Sequence, residues 1–192
     1  MYMSTTAQKL AGSFGDVENA GIFVHHLNPN RILMQTFITD TPANHYGLNH
    51  LDRRRLVKQL LETRQIMAAL AGTTKGWVNH PATKMWYGKE DILFDYGLQN
   101  ARELEKRLYL FANNLSWLTE FYNSIVEQRA TDGLWDDREL DRVIYTHRGR
   151  LYEKDPLYYA QWVDYSDYKK HVCCERCNYY WPSHIHDELG VI

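Results

Sequence analysis

The sequence predicts a mainly α, compact single-domain helical fold that ends in an irregular, aromatic-rich C-terminal segment. Three observations carry this. Leu56, Leu60, Met67 and Leu70 recur at helical spacing, as do Ile92, Leu93, Tyr96, Leu104, Leu108 and Phe111. A third set, Leu118, Phe121, Tyr122 and Ile125, repeats the pattern. Residues three or four apart share one helix face, so each set makes an apolar stripe. Gly72, Pro81, Gly133 and Pro156 fall between these stretches, where helices stop or start.

Residues 1–33 read as an N-terminal extension, small and polar through Asn19 and without a sustained period. The helical domain is expected over 34–192. Within it, Ile32 to Ile38 suits an extended segment, although an apolar run alone does not choose strand over helix. Thr41-Pro42 to Asn49 reads as a loop, with Asn49 or Asp52 available as an N-cap. The first helix is expected from about residue 50 to 71, stopping at Gly72. Thr73 to Pro81 is a loop. A second helical stretch follows Pro81, broken at Gly88, and continues to about Phe111. Leu115 to Gln128 and Arg138 to Tyr152 complete the set, with Gly133 between them. After Asp155-Pro156 come Tyr158, Tyr159, Trp162, Tyr165, Tyr168, Tyr179, Tyr180 and Trp181 without a helical period.

With 192 residues the chain can bury one sizeable core. Its net charge of −2 argues against a non-specific polybasic nucleic-acid binder, yet the charge is unevenly placed. Arg53, Arg54, Arg55, Lys58 and Arg64 outnumber Asp52 and Glu62, and Arg142, Arg148, Arg150 and Lys154 outnumber Glu153. Two such patches on one surface would hold phosphates despite the near-neutral total. The 14 Tyr and 6 Trp can pack a core or stack on bases. No apolar run approaches the ~20 residues of a membrane span, and no signal-peptide pattern opens the chain. The three cysteines sit together near the C-terminus, a poor disulfide framework that fits a reducing compartment. A cytoplasmic protein is expected.

The densest ionic motif is Leu51-Asp52-Arg53-Arg54-Arg55-Leu56-Val57-Lys58-Gln59-Leu60-Leu61-Glu62. Helical spacing brings Arg55, Lys58 or Gln59, and Glu62 onto one face. Arginines suited to phosphates then lie one turn from a carboxylate suited to acid–base work. A solvated amphipathic face has the same spacing. In the tail, Cys174 and Cys177 have zinc-knuckle spacing, and His184 with His186 would complete a Cys₂His₂ shell. His171 or Cys173 could replace one of them. Such a zinc would be structural, and reduced cysteines with a surface histidine pair fit the same residues.

Several stretches, taken in order, carry a resemblance. They are Met34-Gln35-Thr36-Phe37, the Leu51 to Glu62 motif, and Gly76-Trp77-Val78-Asn79-His80-Pro81-Ala82-Thr83-Lys84-Met85-Trp86. Tyr96-Gly97, the run from His147 to Tyr159, and Tyr180-Trp181-Pro182 follow. Together they resemble the pyrimidine-dimer DNA glycosylases, the endonuclease V type of phages and bacteria. The resemblance implies excision of a damaged or modified pyrimidine from double-stranded DNA through an amine-derived imine, with strand cleavage by β-elimination as a further step. It requires no cofactor. It assigns the family's essential carboxylate to Glu62. Arg53, Arg54 and Arg55, with Gln59 beside them, would face the DNA, and His147, Arg148 and Arg150 would form a second clamp. His80, with Trp77 and Trp86, would line the place of a nucleotide held out of the duplex. Helix capping is the alternative for His80, and core packing for the two tryptophans.

The nucleophile departs from the family pattern. There it is the α-amine exposed after the initiator Met, whereas 33 residues precede Met34 in this chain. An α-amine, with pKa about 7.7–8.0, is roughly one-tenth neutral at pH 7, against about four in ten thousand for an ordinary lysine. That difference is worth ~3.4 kcal/mol. Processing that exposes Gln35, an extension that delivers Met1 or Tyr2, and Lys58 are the three candidates, and the N-terminal amine is preferred. The alternative to an enzyme is a catalytically silent DNA-binding or phage-associated interaction protein on the same scaffold.

Overall fold

The computed structural model describes residues 36–108, 115–164 and 179–180, all within the unit Met34–Ile192. The expected extension over 1–33, Gln35, and the candidate zinc ligands Cys174, Cys177, His184 and His186 lie outside the described residues. The fold is mainly helical, as predicted. Residues 36–39 run without regular structure and are buried. The expected loop that follows is more tightly wound. Pro42–His50 forms 3-10 turns interrupted by His45, Tyr46 and Gly47, whose φ values are 52°, 59° and 69°. Gly47 suits that left-handed conformation, and a Cβ there would run into the Thr39 hydroxyl.

Helix α1 spans Arg53–Leu70. Of the two candidate caps, Asp52 is the one used: its carboxylate accepts from the Arg54 and Arg55 amides at 2.9 and 3.1 Å. Those amides have no partner inside the helix, so a side-chain acceptor fixes where it starts. Leu56, Ile66, Met67 and Leu70 of α1 are buried in the core. A polar set, Gln59, Glu62 and Thr63, is buried as well.

Helix α2 spans Pro81–Trp86 and α3 spans Glu90–Lys106, separated at Gly88, where φ is 75°. Helix α4 is Ser116–Val126, α5 is Asp137–Lys154, and α6 is the single turn Pro156–Tyr159. α1 packs against α2, α3 and α4. At Gly97 of α3 a Cβ would stand 3.0 Å from the Leu118 side chain and 3.2 Å from that of Thr63. Any side chain there would make Leu118 and Thr63 give way by a few tenths of an ångström in a closely packed core.

Two long-range ties bring the rest onto this helical frame. Tyr159 of α6 donates its hydroxyl to the Asp52 carboxylate at 2.6 Å, and the Asp52 amide donates to Tyr159 Oη at 3.1 Å. Residues of α5 bind the 36–39 segment: the Ile38 amide donates to His147 Nδ1 at 2.9 Å, and Arg148 Nε donates to the Thr39 carbonyl at 2.6 Å. Among the described residues, no helix is long and apolar enough to cross a membrane.

Candidate active site

Glu62 lies one turn beyond Lys58 and Gln59 on α1, and the three side chains meet. Gln59 Nε2 donates to Glu62 Oε2 at 3.0 Å, and Lys58 Nζ lies 3.5 Å from Oε1. The carboxylate is only 3% exposed, whereas the lysine side chain is 59% exposed. Lysine is thus the solvent-facing member of the pair. A buried carboxylate costs several kcal/mol unless it is paired and hydrogen-bonded, and these two partners meet that need.

Gln59 works in two directions. While its amide nitrogen holds Glu62, its oxygen accepts from the Phe37 amide at 2.6 Å and from the Tyr96 hydroxyl at 2.9 Å. The same hydroxyl lies 3.0 Å from the Phe37 carbonyl. Burial, reinforced by the Glu62 charge, pushes Tyr96 well above the ordinary tyrosine range, so it stays a neutral donor. Thr36 is fully buried beside Phe37, and its hydroxyl accepts from Trp86 Nε1 at 2.8 Å.

From α5, His147 is fully buried, and burial draws its pKa down to about 3. Its Nδ1 accepts the Ile38 amide, so the neutral ring carries its proton on Nε2. The rings of Phe37 and Tyr179 stand edge-on to it, 5.8 and 5.5 Å away between centroids. Burial lifts Tyr179 to about 12, with the hydrogen-bonded Arg150 guanidinium pulling the other way and the Glu62 charge adding to the rise. Glu62, Tyr179 and Arg150 therefore share one electrostatic neighbourhood. Arg150 also pairs with Glu153, and its Nε is buried without a hydrogen-bond partner.

Several expectations change at this point. His147 and Gln59, expected to face DNA, are fully buried and bonded to the 37–38 backbone. Arg55 pairs with Asp52 and lies over the Tyr159 ring at 5.2 Å. Arg53 and Arg54 are exposed. Arg148 is partly buried, bonded to Thr39 and 3.7 Å from Asp40. His80 caps α2, its Nδ1 accepting the Ala82 amide at 3.1 Å. Trp86 is core, but Trp77 is 43% exposed. Tyr96 belongs to a helical stripe, and an inward tyrosine there carries no mark in the sequence of what it will face.

Among the described residues, no group of three or more His, Cys, Asp and Glu side chains is placed to hold a metal ion. A groove of about 670 Å³ is lined by residues that include His45, His50, Arg102 and Lys106, and Glu62 is not among its lining residues.

Fold and site together define a helical domain in which the buried Glu62 carboxylate lies against the exposed Lys58 amine. Residues 34–117 match the family model for pyrimidine dimer DNA glycosylases, the family that the sequence resembles. That family consists of DNA-repair glycosylases, which act on lesion-bearing DNA. The matched stretch holds Lys58, Gln59, Glu62 and Tyr96, while His147, Arg150 and Tyr179 lie outside it. No curated protein and no solved structure matches the chain.

Proposed function

We propose that this protein is a DNA glycosylase that excises a damaged or modified pyrimidine through an imine formed on an amine, with β-elimination of the 3′ strand as a second step. The amine nitrogen attacks the deoxyribose C1′, the glycosidic bond breaks, and the base leaves with the bonding electrons and takes up a proton. Loss of the amine proton and opening of the sugar give the imine. Glu62 stabilises the positive charge that develops on the sugar and then relays protons.

One observation carries the reading: Gln59 ties the Phe37 amide and the Glu62 carboxylate through one side chain. Phe37 is two residues from Gln35, so an α-amine created at Gln35 would start close to the carboxylate it needs. Lys58 already pairs with Glu62, which suits a counter-ion or phosphate contact. We therefore favour an N-terminal amine. Arg53, Arg54, Arg148 and Arg150 are the cations proposed to hold phosphates.

The test is borohydride trapping on ultraviolet-irradiated DNA, followed by peptide mapping of the adduct. Attachment at the first residue of a chain shortened to Gln35 is the expected result. Attachment at Lys58 would transfer the role to that lysine. No adduct, on dimer and modified-pyrimidine substrates alike, would leave a silent DNA-binding protein on this scaffold.

A further inference from the structure

We propose that Lys58 is a positioning residue that changes partners: it covers the Glu62 carboxylate in the free protein and passes to a DNA phosphate in the complex, which opens Glu62 to the positive sugar. This rests on the glycosylase reading above and adds a control, operated by the substrate, to the same site.

The two carboxylate oxygens are held differently. Oε2 receives the Gln59 amide at 3.0 Å, and Gln59 is fully buried and fastened by the Phe37 amide and the Tyr96 hydroxyl. Oε1 faces Lys58 Nζ at 3.5 Å, longer than the roughly 2.8 Å of a charge-assisted hydrogen bond. The lysine side chain is exposed while the carboxylate is buried. One oxygen is therefore anchored from inside the protein, and the other is covered from outside by a flexible four-carbon stem. An ion pair with one exposed member is weak and yields to a better partner.

Charge defines the two states. In the free protein the ammonium offsets a buried negative charge that would otherwise be costly. During excision the sugar becomes positive, and a second cation on the same carboxylate would oppose that charge. A phosphate is the partner that draws the ammonium away. Arg54 lies one turn before Lys58 and Leu61 nearly one turn after it, and all three are exposed. Lys58 thus belongs to an outward strip of α1 together with a cation proposed to hold the DNA backbone. Other titratable groups near Glu62 include Tyr96 of α3 and Tyr179, both kept neutral by burial. Arg150 of α5, beside Tyr179, is paired with Glu153.

The experiment compares full-length wild type, Lys58→Met, which keeps the stem without the charge, and Lys58→Arg. Excision from a duplex carrying a pyrimidine dimer is followed across the acid range, since kcat/KM reports groups of the free protein and kcat those of the complex. In Lys58→Met the acid limb of kcat/KM should move to higher pH, because Glu62 has lost a cation that favours its charged form, while the acid limb of kcat stays in place. The slope of log affinity against log salt, measured on a duplex with an abasic analogue that resists excision, should fall by about one. Lys58→Arg should restore both signals. Movement of both limbs together would mean that Lys58 stays on Glu62 in the complex. That result, an unmoved kcat/KM limb, an unchanged salt slope, or loss of excision at every pH would each overturn this inference and leave the glycosylase reading standing. Absence of excision by the wild type would sink the glycosylase reading itself.

Discussion

Gln59 gives Glu62 a hydrogen bond at 3.0 Å from the same amide whose oxygen receives the Phe37 N–H at 2.6 Å. The carboxylate is thereby fixed to the start of the domain rather than to the solvent, and each partner of that bridge can be tested.

Glu62→Gln should abolish base excision while changing DNA affinity by less than about tenfold, or ~1.4 kcal/mol. An amide of the same shape can still bond to Gln59, so the fold persists, but it can neither carry a negative charge nor relay a proton. Single-turnover excision beside a binding titration checks this. Retained excision by the folded variant would remove Glu62 from the chemistry.

Gln59→Leu should lower unfolding stability by about 3 kcal/mol, because the Phe37 amide and Glu62 Oε2 each lose a buried partner worth about 1–3 kcal/mol. Urea denaturation followed by circular dichroism reads the change. A loss below about 1 kcal/mol would mean that water replaces the bridge and that the site is more open than its burial implies.

Acid should destabilise the protein through His147. Its folded pKa of about 3 lies below the ordinary 6.5, so between those values the unfolded chain takes a proton that the folded chain refuses. The neutral ring's contribution is complete above about pH 6.5 and falls as pH drops toward 3, by roughly 1.4 kcal/mol per unit. His80, drawn down to about 4, acts in the same direction. Urea midpoints at pH 7.5 and pH 5 should therefore differ less in His147→Gln, which keeps an acceptor for the Ile38 amide, than in the wild type. Equal falls in both would place the acid sensitivity elsewhere.

Arg53→Ala and Arg54→Ala should each reduce the slope of log affinity against log salt by about one, as expected for lost phosphate contacts. Arg55→Ala should instead cost about 1 kcal/mol of stability, through the Asp52 pair and the Tyr159 ring, with a smaller effect on the slope. Unchanged slopes for Arg53 and Arg54 would put the DNA on another face.

Much of the fold was legible in the chain because its determinants are local. The 3.6-residue period marked α1, α3 and α4, Pro81 and Gly88 marked breaks between helices, and Asp52 was one of two candidate caps for α1. A cap acts on amides two and three residues away, so sequence can point to it. The carboxylate Glu62 and its neighbour Lys58 could also be singled out, since one helical turn joins them.

What the sequence left open was which polar groups go inside, and only tertiary structure decided that. Helical spacing defines a face but not what covers it. Gln59 and Glu62 are buried because Phe37 and Tyr96, 22 and 37 residues from Gln59, close over them. His147 is taken from an expected DNA clamp into the core by an amide 109 residues away. Trp77 is left outside by a backbone turn that composition does not encode. For Gln59, Glu62 and His147 an unpaired buried donor or acceptor would cost more than its bond returns, so the partner had to be in place before the group could leave water.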